Sequence, residues 1–85
     1  METRWHVYIL ECADGTLYTG VTTDLGRRLT EHNDSIAGAK YTRARRPVTM
    51  KYAEEHISRS SATKREAELK KLSRAKKLDL LNSAS

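Results

Sequence analysis

The sequence contains one cysteine, Cys12, so a single chain can form neither a disulfide framework nor a zinc site built from several cysteines. One free thiol is compatible with a reducing compartment. No apolar run approaches the roughly 20 residues of a membrane-spanning helix, and residues 1–5 lack the apolar core of a signal peptide. These absences predict a cytoplasmic protein that does not associate with membranes.

Internal repeats, low-complexity segments and linkers are also missing from the sequence. With 85 residues, the chain is long enough for one small domain and too short for two. We therefore expect a single domain over residues 1–85.

The pattern of apolar residues predicts an α+β domain. Strands are predicted over residues 5–12, 17–21 and 48–55, where β-branched and aromatic residues are frequent. Helices are predicted to begin near Asp24, Ser58 and Ser73, which are suitable N-cap residues. The predicted order is β-β-α-β-α-α, with a small three-stranded antiparallel sheet flanked by helices.

The turn between the first two strands decides which side chains share a face of the sheet. A two-residue turn at 14–15 would place Tyr8 and Tyr18 on opposite faces. A three-residue turn at 13–15 would place them on one face, with Tyr8 opposite Gly20. The glycine at position 15 suits both turns. We predict the three-residue turn, although two tyrosines that merely pack within a hairpin are the simpler interpretation.

The first predicted helix carries two further polar candidates. Arg28 and His32 are four residues apart and therefore neighbours on one helical face, beside Leu25 and Leu29. Singly, the arginine is typical of a solvated charge and the histidine of a helix-end residue. Together with the hairpin tyrosines, they predict a cluster where the helix meets the sheet.

The charge of the chain is basic, with a formal net charge of +5 and a pI of about 9.6. Residues 40–46 hold four basic side chains and no acid, and residues 64–77 add seven more against two acids. This distribution favours a polyanionic partner over a merely solvated surface. The candidate nucleic-acid contacts are Lys40, Tyr41, Arg43, Arg45 and Arg46, with Thr42 as a further phosphate or base partner.

The order and spacing of these residues resemble the GIY-YIG nuclease superfamily, and most closely its short stand-alone bacterial branch. His6-Val7-Tyr8 stands where that family has its first motif, with histidine in place of glycine. Tyr18-Thr19-Gly20 stands for the second motif, and Arg28 follows ten residues after its tyrosine. Glu66 matches the downstream metal-binding glutamate of the family.

The resemblance implies a metal-dependent endonuclease or nickase that hydrolyses DNA, directed by DNA structure rather than by sequence, as in DNA repair. It implies catalytic roles for Tyr8, Tyr18, Arg28, His32 and Glu66, with Gly20 as a structural residue of the site. Glu66 would hold one Mg²⁺ or Mn²⁺ ion, although by spacing alone it is a surface acid paired with Lys70.

Several alternatives remain open at this point. A non-catalytic nucleic-acid-binding module on the same fold is the second interpretation, and RNA is not excluded as a partner. The family often has a polar residue late in the domain, for which Asn82 is the only late candidate. Neither the oligomeric state nor the preferred DNA structure follows from the sequence.

Overall fold

A computed structural model describes residues 4–34 and 38–83 of the chain. It contains a three-stranded antiparallel sheet with the strand order β2-β1-β3. In chain order, the elements are β1 (Trp5–Glu11), β2 (Leu17–Thr22), α1 (Leu25–Asp34), α2 (Lys40–Arg43), β3 (Thr49–His56), α3 (Arg59–Lys70) and α4 (Arg74–Ser83). The α+β fold and the predicted order of its elements are confirmed, with α2 as one additional turn of helix.

The hairpin between β1 and β2 has the three-residue turn. Tyr8 pairs with Gly20 and Leu10 with Tyr18, and the Cys12 amide donates to the Thr16 carbonyl at 2.8 Å. Gly15 closes the turn with a φ of 83°, a left-handed conformation that glycine adopts without the steric cost of a side chain. The predicted register is confirmed, and both tyrosines lie on one face of the sheet.

Successive side chains of β1 point to opposite faces of the sheet, so the core is divided into two clusters, one on each face. Val7 and Ile9 pack against Ala62 and Leu69 of α3. On the opposite face, the buried residues are Tyr8, Leu10, Cys12 and Val48, and α1 packs against them through Leu25 and Leu29. Tyr8 therefore faces α1, and α3 covers the other side of the sheet.

The three predicted helix starts carry the expected caps. The side-chain oxygens of Asp24, Ser58 and Ser73 accept hydrogen bonds from the backbone amides three residues later. Such caps satisfy amide groups that the first turn leaves without an intrahelical partner. Local sequence chemistry thus sets where α1, α3 and α4 begin.

The short helix α2 is absent from the sequence-based prediction, which has a loop over the basic stretch. Its single turn is closed by the Ala39 carbonyl, which accepts from the Thr42 amide at 3.0 Å and from the Arg43 amide at 3.1 Å. Four residues are too few for an apolar periodicity to appear in the sequence. In the described part of the chain, no helix has the length and apolar character needed to cross a membrane.

Candidate active site

The two hairpin tyrosines approach each other over a glycine. The ring centroids of Tyr8 and Tyr18 are 6.5 Å apart. Gly20 lies opposite Tyr8, and a Cβ atom at this position would be 2.5 Å from the Tyr8 hydroxyl oxygen. The site therefore needs the space that glycine leaves here, because real Cβ atoms do not approach other atoms so closely.

His32 of α1 joins this cluster and is fully buried. Its Nε2 atom is 2.9 Å from the Tyr8 hydroxyl, its Nδ1 atom is 2.8 Å from the Thr42 hydroxyl, and its ring meets that of Tyr18 edge-on at 5.2 Å. Burial, with the charges of Arg28 and Arg46, lowers the pKa of His32 to about 4 against an opposing effect of Glu31. The imidazole is therefore neutral at physiological pH.

Arg28 lies beside the same hydroxyl. Its guanidinium donates to Glu31 Oε1 at 3.0 Å and hydrogen bonds to Tyr8. Burial raises the pKa of Tyr8 to about 12, although the adjacent Arg28 opposes the shift. The Tyr8 hydroxyl thus keeps its proton at neutral pH. The Arg28 side chain is 23% exposed, so a ligand can reach its guanidinium.

Glu66 approaches the cluster from α3, on the other side of the sheet. Its carboxylate is one of the charges that act on Tyr8, and its Oε2 atom pairs with Lys70 Nζ at 3.3 Å. The predicted surface ion pair with Lys70 is thus present, and the charge of Glu66 also helps to raise the pKa of Tyr8. The side chain is 21% exposed.

A second group of polar side chains ties α3 to β3 next to Glu66. The carboxylate of Glu54 accepts hydrogen bonds from Arg65 Nε at 2.8 Å, from His56 Nε2 at 2.9 Å and from the Tyr52 hydroxyl. These contacts join α3 to β3 one residue before Glu66.

The donor chemistry of Glu66 fits the predicted metal ion. A single, partly exposed carboxylate suits Mg²⁺, which takes few protein ligands and keeps several water molecules. Within residues 4–34 and 38–83, the structure has no group of three or more His, Cys, Asp or Glu side chains that could hold a metal ion.

The basic stretch separates into two outward side chains and two that hydrogen bond to other parts of the chain. Lys40 and Arg43 are exposed on α2. Arg45 donates to Asp14 Oδ2 at 3.1 Å and to the Tyr41 carbonyl at 2.9 Å, and Arg46 donates to the His32 carbonyl of α1. Lys40 and Arg43 are thus the exposed members of the stretch, while the other two arginines join it to the hairpin turn and to α1.

Tyr41 extends the aromatic cluster outward. Its ring stacks on Tyr18 with centroids 5.8 Å apart, the Arg45 guanidinium lies 4.0 Å from its centroid, and 38% of the residue is exposed. Thr42, predicted as a further phosphate or base partner, is instead fully buried. Sequence reasoning also gave no role to Glu31, whose position three residues after Arg28 was the available signal.

Asn82, the late polar candidate, belongs to α4. It lines a groove of about 300 Å³ together with Glu11, Lys51, Leu78 and Leu81. None of the five catalytic candidates lines that groove.

One family of domains matches nearly the whole chain. The profile of the GIY-YIG catalytic domain matches residues 4–79. A UPF0213 protein of Desulfotalea psychrophila is 55% identical over 80 residues, covering 94% of this chain and 73% of its own. A UPF0213 protein of Halobacterium salinarum is 57% identical over 72 residues, covering 85% of this chain and 92% of its own.

Two solved structures share the fold. The solution NMR structure of a UPF0213 protein from Bacillus halodurans is 47% identical, with a TM-score of 0.60 over 93% of this chain and 83% of its own. The solution NMR structure of a protein from E. faecalis is also 47% identical, with a TM-score of 0.62 over 99% of this chain and 92% of its own.

Proposed function

This chain belongs to the GIY-YIG nuclease superfamily. We propose that it is a metal-dependent nuclease that hydrolyses phosphodiester bonds in DNA. The observation that carries the proposal is the meeting of three polar groups. The Tyr8 hydroxyl is hydrogen-bonded both to His32 and to Arg28. A buried tyrosine between a neutral imidazole and a guanidinium is suited to moving a proton next to a bound anion.

Arg28 would bind the scissile phosphate. Its planar guanidinium offers paired donors that match phosphate oxygens, and part of the side chain is exposed. The charge of Arg28 is one cause of the lowered pKa of His32. A phosphate that pairs with Arg28 offsets this charge, so substrate binding would make His32 a better proton acceptor.

Tyr8 would be the general base for the attacking water. With a pKa of about 12, the hydroxyl is not ionised beforehand, so it can take a proton only as it gives its own away. His32 Nε2 at 2.9 Å is the acceptor for that proton. The water oxygen then bonds to phosphorus while the bond to the leaving oxygen breaks, and the proton lost from water resides on Tyr8.

The remaining residues would shape and complete the site. Tyr18 packs against His32 and against the outer Tyr41, which limits the freedom of the imidazole. Glu66 would hold one Mg²⁺ or Mn²⁺ ion. When bound, the metal neutralises charge that develops on the phosphate and on the leaving oxygen.

The preferred substrate would be DNA that is recognised by its shape. The exposed Lys40 and Arg43 beside the site suit contacts with phosphates, which carry no sequence information. An endonuclease or nickase for branched, nicked or single-stranded DNA is therefore the form of activity we propose, with RNA as an alternative polyanion.

A direct assay tests the proposal. Purified protein is incubated with branched, nicked, single-stranded and duplex DNA, with Mg²⁺, with Mn²⁺, or with a chelator. We expect cleavage with metal and none with chelator. Glu66→Gln should abolish cleavage while leaving DNA binding intact. Glu68→Gln removes the same charge from the same helix and should cut normally. Equal cleavage by both variants would contradict the metal role of Glu66.

A binding module is the second candidate function. The high pKa of Tyr8 favours it, because a hydroxyl that stays protonated can hold a phosphate without activating water. Under this alternative, the wild-type protein binds DNA with every metal ion and every DNA structure tested, and it releases no cleaved product. Detection of a cleaved product from any of these DNA structures would show that the protein is a nuclease and not only a binding module.

A further inference from the structure

The hydroxyl of Thr42 lies behind His32, on the side of the ring away from Tyr8. We infer that Thr42 is a positioning residue that holds His32 in the tautomer with its hydrogen on Nδ1, so that Nε2 is free to accept the Tyr8 proton. Thr42 belongs to α2 and is fully buried. Its role as a positioning residue rests on the proposed function, whereas the tautomer is a property of the folded protein alone.

The direction of each hydrogen bond follows from counting hydrogens. The Thr42 hydroxyl oxygen is 2.9 Å from the Ala39 carbonyl oxygen. Two oxygens so close with no hydrogen between them would repel each other, and a carbonyl has no hydrogen to give, so the geometry favours the single hydroxyl hydrogen pointing to Ala39. Toward His32 Nδ1, at 2.8 Å, Thr42 must then be the acceptor. Nδ1 therefore carries a hydrogen.

The same count shows whether the other ring nitrogen, Nε2, carries a hydrogen. A neutral imidazole has one N–H, and burial with the nearby Arg28 and Arg46 holds the pKa of His32 at about 4. With the hydrogen on Nδ1, Nε2 has only a lone pair. The Tyr8 hydroxyl must donate to it at 2.9 Å. The hydrogens thus all point one way, from Tyr8 through His32 and Thr42 to a backbone carbonyl.

The carbonyl at the end of this chain of hydrogen bonds is held by the helix that contains Thr42. The Ala39 carbonyl also accepts from the Thr42 and Arg43 amides, which close the turn of α2. The Ala13 amide donates to the Arg45 carbonyl at 2.9 Å, and Arg46 donates to the His32 carbonyl. The hairpin turn and α1 therefore both fix α2, and through it the acceptor for Thr42.

Removal of the hydroxyl should reverse the tautomer. Thr42→Val keeps the shape of the side chain but leaves the Nδ1 hydrogen without an acceptor, and a buried unpaired donor is costly. The ring relieves this by carrying its hydrogen on Nε2, which then donates to the Tyr8 oxygen. In that state, His32 cannot accept the proton that Tyr8 must lose.

The test is NMR of protein labelled with ¹⁵N at histidine, which distinguishes protonated from unprotonated ring nitrogens. For His32 we expect a hydrogen on Nδ1 in the wild type and in Thr42→Ser, which keeps the hydroxyl. We expect a hydrogen on Nε2 in Thr42→Val. A wild-type spectrum with the hydrogen on Nε2 overturns the inference without any variant, so it does not depend on whether Thr42→Val folds.

Cleavage assays then test the link to catalysis. With the fold intact, Thr42→Val should lower kcat by about 100-fold or more with little change in KM, as occurs elsewhere when an orienting partner is removed and the wrong tautomer results. Thr42→Ser should restore most of the rate. A reversed tautomer with an unchanged kcat would overturn the positioning role. If the wild type cuts nothing, the proposed function fails while the NMR result still decides the tautomer.

Discussion

Gly20 lies directly across the hairpin from Tyr8, and a methyl group on it would come within 2.5 Å of the Tyr8 hydroxyl oxygen. That hydroxyl is the group that contacts both His32 and Arg28. The backbone of β2 is thus one wall of the candidate active site, and the space above Tyr8 depends on the absence of a side chain there.

Gly20→Ala should therefore displace the Tyr8 ring and lower the cleavage rate by at least an order of magnitude, since misplacement by about 1 Å can cost about 100-fold. Gly26→Ala is the control, because at that exposed position in α1 the nearest atom is Asp24 Oδ1 at 3.7 Å. The control should cut normally and unfold at the same or a slightly higher temperature, since alanine favours helix. Normal cleavage by Gly20→Ala would show that the tight approach has no functional role.

Tyr8→Phe removes the proposed base and one buried hydrogen bond with His32. We expect cleavage to be abolished, and the free energy of unfolding to fall by about 1–2 kcal/mol because His32 keeps an unpaired nitrogen. Tyr52→Phe removes a hydroxyl bonded to Glu54 in the network that ties α3 to β3. It should cost similar stability but retain cleavage. If both variants cut equally, Tyr8 is not the base.

Lys40 and Arg43 should contribute to the salt dependence of DNA binding. Replacing both with alanine should flatten the slope of log affinity against log salt by about two units, because each phosphate that a basic side chain neutralises adds about one unit. Lys64→Ala with Lys76→Ala removes the same charge from exposed positions on α3 and α4. An equal change in slope for both pairs would mean that net charge, rather than the position of α2, determines binding.

Arg45→Ala is expected to act differently from the outward pair. Its side chain joins Asp14 of the hairpin turn to the Tyr41 carbonyl, so its removal should loosen α2 and lower the thermal midpoint. The salt slope should change less than it does for Lys40→Ala with Arg43→Ala. A slope that is flatter by a full unit, with unchanged stability, would instead assign Arg45 to phosphate binding.

His32 should make stability fall as the solution is acidified. The unfolded chain binds a proton at this residue below about pH 6.5, whereas the folded protein resists it until about pH 4. Between these values, the unfolded state holds more protons, so stability declines, by roughly 3 kcal/mol in all. His32→Gln removes this titration but keeps all other groups. Denaturant unfolding at about pH 7 and about pH 4.5 should show a smaller decline for the variant.

Patterns between near neighbours in the sequence determined much of the architecture. Alternation in the strands, the glycine of the turn and the caps at Asp24, Ser58 and Ser73 depend on residues within a few positions of one another. The hairpin register followed from the turn, and the grouping of Tyr8 and Tyr18 followed from the register. The helical spacing of Arg28 and His32 placed them on the face that meets those tyrosines.

Other features were decided only by tertiary packing. Thr42 lies ten residues from His32 and the Tyr8 hydroxyl meets a ring 24 residues away, and no local period links such positions. In the sequence, the basic residues at 40–46 looked alike, yet Arg45 and Arg46 hydrogen bond to acceptors on other segments, Asp14 and the carbonyl end of α1. Which hydroxyl faces which nitrogen depends on how α2 docks against α1 and the hairpin turn. That docking joins segments distant in the chain, and it decides the direction of the hydrogen bonds at His32.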